Sequence, residues 1–305
     1  MSDVNRGDGP TLSAPHLPCR LDEREWRIRA AAHAERVQPW IAPRLQRREL
    51  GRTHPVDDFL FDYYSWRPGQ LARWHPGAGV CLTGDVGEFR SVRGYAVEGT
   101  RAYADPAQFP TDQMRATLAL LEATASRPAA FTCFGRHEWA MIYRAEHAGI
   151  RHSSWPLRVG SGVVDDVVES APLRCTHFDA FRFYTDPARP LNAIQPTRAT
   201  QIDLEQPGCL HASMDLYKWC FRSYPAVGAE LTADCFELAR EVRAVDMRAS
   251  PYDFTALGYE PIAIETSDGR AEYVAHQRDF AERASGLRAT LIAALDDALT
   301  ARVPA

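Results

Sequence analysis

The chain predicts an α+β fold: a helix-rich single compact domain with a small mixed or antiparallel sheet. Three observations carry that reading. Apolar residues recur at helical spacing over several long stretches, strand-like alternation is confined to short segments, and there is no internal repeat or heptad array. At 305 residues, 45% hydrophobic and 25% charged, the composition is that of a globular protein able to bury a sizeable core without staples. Residues 1–20 are rich in Gly, Pro and Ser and read as a disordered lead, with residues 21–305 as one globular catalytic domain.

Taken in order, a helix is expected from Asp22 to about Gln38, broken by Pro39 and Pro43, with a second short helix ending near Gly51. His54 to Tyr64 reads as a helix entry, with Pro55 early and Asp57 and Asp58 suited to the N-terminal end. Turns are expected at 66–69 and 74–77, and short strands near 79–82 and 89–97. Thr111 to Ser126 is a helix with Thr111 as its cap and Met114, Leu118, Leu121 and Ala125 on one face. Another helix fits His137 to His147. The clearest strand is Leu173 to Tyr184, in which Leu173, Cys175, His177, Asp179, Phe181 and Phe183 share a face. Helices then fit Cys209 to Tyr224 and Leu231 to Arg248, followed by a strand near 261–266 and a long helix from about Arg270 to Thr300.

The composition also excludes classes of function. The first residues lack the apolar stretch of a signal peptide, and no run of about 18 apolar residues exists to span a membrane. Seven scattered cysteines without a CxxC pair argue for free thiols in a reducing, cytoplasmic setting, against a zinc ribbon or disulfide framework. A net charge of −5 does not favour a nucleic-acid binder, although residues 20–52 hold nine Arg against five acidic residues. That stretch reads either as a phosphate-facing surface or as a solvated helical face. Walker A, GxGxxG, GxSxG and PCxxC patterns are all missing.

Three segments concentrate the chemistry. A strand over 173–184 would put His177 and Asp179 on one face; with His211 they supply two imidazoles and a carboxylate, a set that suits Fe or Zn. A structural His–Asp hydrogen bond is the alternative. On the helix after Pro207-Gly208, His211, Asp215, Lys218 and Arg222 recur at spacings of four, three and four along one side. Lys218 is the chain's single lysine beside 34 arginines, and unlike Arg it can give up its proton. Asp215 is a candidate acid or base with Lys218 as its partner. In Cys133 to Arg144 the zincin motif HExxH fails at Met141, but Glu138 remains a candidate base and Trp139 a stacking platform; His137, His147 and His152 are further candidate ligands. Arg248, flanked by Asp246 and Asp253, is a candidate anion binder or a helix-end salt bridge.

These segments, together with His54 to Phe61, Arg73 to Gly77, Glu205 to His211, Met214 to Trp219 and Asp246 to Tyr252, resemble a family of roughly 300-residue bacterial proteins labelled 3-methyladenine DNA glycosylase. The resemblance runs from about Glu23 to Arg288. It implies base-excision repair: a flipped, alkylated purine stacked on Trp139, Tyr143, Tyr217 or Trp219, water activated by Asp215 or Asp179, Lys218 on phosphate, and DNA met through residues 20–52 without a cofactor. The rival expectation is a metal-dependent enzyme, an iron oxygenase or a metal-assisted hydrolase, built on His177, Asp179 and His211. A non-catalytic ligand-binding protein is the third.

Overall fold

Residues 19–145 and 154–300 are described in the computed structural model, so His147 and His152 lie outside the described residues. Strand β1 (Cys19–Leu21) leads into helix α1 (Glu23–Glu49), which a capping box closes: Asp22 accepts from the Glu25 amide at 2.9 Å and the Glu25 carboxylate accepts from the Asp22 amide at 3.0 Å. The sequence reading ended this helix at Pro39, but α1 runs through both Pro39 and Pro43. Each proline costs a helix about 3 kcal/mol. The helix persists because Trp26, His33, Val37 and Ile41 bury one face on both sides of the expected break.

Helix α2 (Phe59–Tyr63) follows, and the expected turn at 66–69 instead opens a one-turn helix, α3 (Pro68–Ala72), with Pro68 in the first turn. Asp58 does not cap α2 with its side chain. Its carboxylate binds Arg44, Arg47 and the His54 amide, which ties the loop back onto α1. Strands β2 (Val80–Thr83), β3 (Tyr95–Glu98) and β4 (Arg101–Ala104) complete a four-stranded mixed sheet in the order β1-β2-β4-β3. β1 and β2 are parallel, with Arg20 opposite Cys81; the other two pairs are antiparallel. The expected strand over 89–97 is realised only at its end, because residues 87–91 form a 3-10 turn.

Helix α4 (Thr111–Ala125) matches its prediction, except that Pro110 rather than Thr111 stands at the cap position. Four short helices, α5 (Arg136–Ala140), α6 (Ser161–Glu169), α7 (Phe178–Phe181) and α8 (Gln201–Leu204), then precede the long α9 (Leu210–Arg222), α10 (Ala229–Arg248) and α11 (Ser267–Thr300). The helix expected over 137–147 is thus only one turn long. The strands expected at 173–184 and 261–266 do not form: the first is a loop running into α7, the second an irregular approach to α11. At 173–184 the backbone pairing among the described residues is confined to an isolated bridge between Leu173 and Asn192. The Asn192 side chain serves as the partner, accepting from the Cys175 amide at 2.8 Å and donating to its carbonyl at 2.9 Å.

α9 packs against α10 and α11, and α4 against α11, giving one compact α+β domain with a small mixed sheet. No described helix is long and apolar enough to cross a membrane.

Candidate functional site

α9 is buried almost all round: every residue from Ala212 to Phe221 is inaccessible, and only Arg222 at its end is exposed. The polar side read from the sequence therefore faces protein. The turn before the helix is built by Gln206, whose side-chain oxygen accepts from the Ala130 and Gly208 amides at 2.8 and 2.7 Å. Gly208 is required there, since a Cβ would stand 2.6 Å from the Ala130 carbonyl oxygen.

Halfway along α9 lies a charged lattice. The Lys218 ammonium contacts the Asp215 carboxylate and lies 3.2 Å from Asp179 of α7. Asp215 also accepts from the Tyr64 hydroxyl at 2.7 Å and sits 3.3 Å from His177 Nε2. Asp179 is held further by Arg198 at 2.8 Å and Arg182 at 3.4 Å, and Glu205 stands 3.7 Å from His177. Burial disfavours ionising Asp215, but the Lys218 ammonium and then His177 outweigh it and hold the carboxyl well below its usual range. Burial likewise opposes the charge on Lys218, and Asp215 and Asp179 raise it above the ordinary lysine value. His177 and Asp179, two residues apart, are not paired on a strand face: His177 stands at the N-cap of α7, and each meets α9 separately.

One turn nearer the N-terminus of α9 the chemistry changes. Phe134 and Gly135, both at positive φ (51° and 70°), reverse the chain into α5 and send His137 inward. The His137 ring meets the His211 ring edge-on at 4.6 Å between centroids, and His177 stacks on His211 at 5.2 Å. From α10, Asp246 brings Oδ1 to 2.8 Å from His137 Nε2. Yet the two atoms do not point at one another as a hydrogen bond requires, and both are buried without a hydrogen-bond partner. Among the described residues, the set whose ligand atoms all lie within 4.8 Å of one another is His137, His211 and Asp246, not the His177, Asp179 and His211 read from the sequence.

The electrostatics differ within this trio. Burial, then the charge on His137, pushes His211 down to about 3, so its ring is neutral. Burial opposes charge on Asp246 as well, but His137 keeps it a carboxylate, below the ordinary range. Burial lowers His137, and Asp246 followed by Cys133 more than reverses this, raising it well above the histidine value. Cys133 Sγ lies 3.5 Å from His137 Nδ1, on the other ring nitrogen. Behind Asp246, Arg243 stands 3.6 Å away and bridges to Glu138 at 3.4 Å.

Glu138, Asp179 and His211 line a narrow cleft together with Phe59, Tyr63 and Phe183, and these three rings also border an open vestibule of about 550 Å³. The expected stacking platforms lie elsewhere. Trp139 is in the core, its indole N–H donating to the Ala249 carbonyl at 2.9 Å. Tyr217 is buried among Tyr64, Phe221 and Phe236. Tyr143 donates to Glu169 at 2.6 Å, and Trp219 lies beneath the Lys218 ammonium at 4.3 Å. Arg248 makes the helix-end contacts, donating to the Glu260 carbonyl at 2.7 Å and pairing with Glu272 at 3.1 Å.

Asp246 is the residue that sequence reasoning missed as a ligand. Its signal was present: it follows Val242 by four positions, on the face of α10 that also buries Leu238 and Ala239, so a carboxylate was bound to point inward. Searches of protein-family models, curated proteins and solved structures find no match to this chain.

Proposed function

We propose that the protein is a mononuclear metal-dependent enzyme whose cation is held by His137, His211 and Asp246. The observation that carries this reading is the convergence, within 4.8 Å, of one ligand atom from each of His137, His211 and Asp246: His137 Nε2 and Asp246 Oδ1 form an ion pair poorly aligned for a hydrogen bond, and the neutral His211 ring lies beside them. A cation taking both atoms would replace a misaligned contact with coordination. Two imidazoles and one carboxylate suit Fe(II) or Zn(II) rather than Mg(II) or Ca(II), and leave coordination positions open for substrate or water. Bound there, the metal would supply Lewis-acid activation of a coordinated oxygen.

The chain's own residues then have distinct tasks. Cys133 fixes the orientation of the His137 ring from its other nitrogen, a role that outer partners commonly play. His177, stacked on His211 and 3.3 Å from Asp215, ties the trio to the Asp215–Lys218 lattice and so positions it. Glu138 stands in the cleft with His211, where it can take a proton from a bound molecule.

The glycosylase implied by the resemblance is the second reading. Its support is an Asp215 held ionised at neutral pH and a cleft that joins Asp179 and Glu138 to aromatic rings. Against it, all four of its stacking rings are buried in the core, and Arg27, Arg29, Arg36, Arg44 and Arg47, five of the nine arginines in residues 20–52, direct their charge to carboxylates of the same chain.

Calorimetric titration of Zn(II), and of Fe(II) under anaerobic conditions, into chelator-stripped protein tests the choice. One site per chain is expected, weakened beyond the roughly 10–100-fold typical of outer partners in His137→Ala and Asp246→Ala. Undiminished binding in both variants, with release of 3-methyladenine from alkylated duplex by the stripped protein, would give the function to the glycosylase.

A further inference from the structure

Beside the trio lies a separate cavity of about 120 Å³, whose wall includes Cys133, His137, Arg174, Cys209, His211 and Gln277. Three independent features describe what fits it. The first is charge. No aspartate or glutamate lines the cavity, whereas the exposed Arg174 does, and among the described residues Arg174 makes no ion pair or hydrogen bond. The second is the start of α9. Cys209, Leu210 and His211 bring the N-terminal end of this 13-residue helix to the wall, and the partial positive charge there favours an anion.

The third feature is Gln277, which is 2% exposed. Its amide nitrogen donates to the Gly208 carbonyl at 2.7 Å, which fixes the amide: turned over, it would set two oxygens against each other. Its oxygen is then a buried acceptor with no partner. A ligand that satisfies it must bring an N–H or O–H. With Arg174 and the start of α9 at the wall and no carboxylate lining it, that donor is a neutral hydroxyl or amide rather than an ammonium.

We propose that this cavity binds a small organic acid carrying a neutral hydroxyl or amide donor, its anionic group met by Arg174 and the start of α9 and its donor by Gln277. The volume sets the size: a cavity of about 150 Å³ holds benzene, so the ligand has about six non-hydrogen atoms, with room to extend past Arg174. That this acid is the substrate, presented to the His137 and His211 side of the cation, rests on the metal reading; that it binds does not.

The probes are lactate, which has both groups, and propionate, which lacks the hydroxyl, titrated into metal-loaded and chelator-stripped protein. Lactate should bind at least about tenfold tighter than propionate, the cost of leaving a buried acceptor unmet. Arg174→Ala, at an exposed position, should weaken lactate by about tenfold, the order expected for a charge-assisted contact. Gln277→Leu should abolish the preference for lactate, with metal content unchanged in both variants. Equal affinity for the two acids, no lactate binding, or lactate binding unmoved by Arg174→Ala overturns the proposal. A preference that survives Gln277→Leu comes from chelation of the metal and overturns it too. Should Gln277→Leu not fold, the lactate-to-propionate ratio in the stripped wild type decides alone. Protein that takes up no metal yet keeps the preference would refute the metal reading and leave the cavity assignment standing. Metal-loaded protein without the preference would do the reverse.

Discussion

Two clusters of ionisable side chains share α9, and they are built on opposite terms. Around Asp215 and Lys218 each charge is met: an ammonium between two carboxylates, a tyrosine hydroxyl and an imidazole on Asp215, two guanidiniums on Asp179. Around His211, one turn away, His137 Nε2 and Asp246 Oδ1 form an ion pair that is misaligned for a hydrogen bond, and the neutral His211 ring stands beside it. A buried network of well-formed charge pairs fixes a structure; a converging set of ligand atoms poorly aligned with one another suits something that is not protein. The difference separates scaffold from site, although both clusters lie largely inside the protein and both combine His with Asp.

The largest effect that would break this comparison is on stability. Asp215→Ala leaves Lys218 buried with only Asp179, and should cost about 3–5 kcal/mol of unfolding free energy. His211→Ala, which removes a ring with no hydrogen bond in the lattice, should cost the metal-free fold only about 0.5–2 kcal/mol. Equal losses in urea unfolding would mean that both clusters are scaffold.

Acid sharpens the same contrast. Asp215 and Asp58 both titrate below their usual range: burial opposes their charge, but Lys218 outweighs it at Asp215 and Arg47 at Asp58. A carboxyl whose folded pKa is depressed contributes its stability in full above the unfolded value, about 4, and loses it as pH falls toward the folded value. Melting temperature should therefore decline gently below about pH 6.5, where the unfolded chain protonates imidazoles that burial keeps neutral at His211 and His75, and drop steeply below about pH 4. Asp215→Asn, already destabilised, should show a shallower drop. An unchanged slope would remove Asp215 from the balance.

The smallest effect is expected at the surface. Arg29 and Glu230 are both about two-fifths exposed, so Arg29→Ala should change stability by less than about 1 kcal/mol. The same variant should leave duplex DNA binding, measured by fluorescence anisotropy in 0.15 M salt, unaltered. A clear loss of DNA affinity would return residues 20–52 to the phosphate-facing role.

How much of this was legible in the sequence follows from how far each partner lies along the chain. α4, α9, α10 and α11 are long and periodic, so their own spacing predicts them. His211, Asp215 and Lys218 could be grouped because neighbours on one helix face are three or four residues apart. The loop at 173–184 was misread because its alternation is real but its pairing stops after one backbone bridge at Leu173; from Cys175, 17 positions before it, the Asn192 side chain takes over. α1 passes its prolines because of burial against elements distant in sequence. The trio was the least legible feature, since α5, α9 and α10 each contribute one residue and only packing brings them together.

Metal content separates the two clusters most directly. Protein purified without a tag or chelator should carry close to one iron or zinc per chain by elemental analysis; His177→Ala should retain it and His211→Ala should lose it. Metal-free wild-type protein, or metal lost from His177→Ala and kept in His211→Ala, would contradict the assignment of His137, His211 and Asp246 as the site.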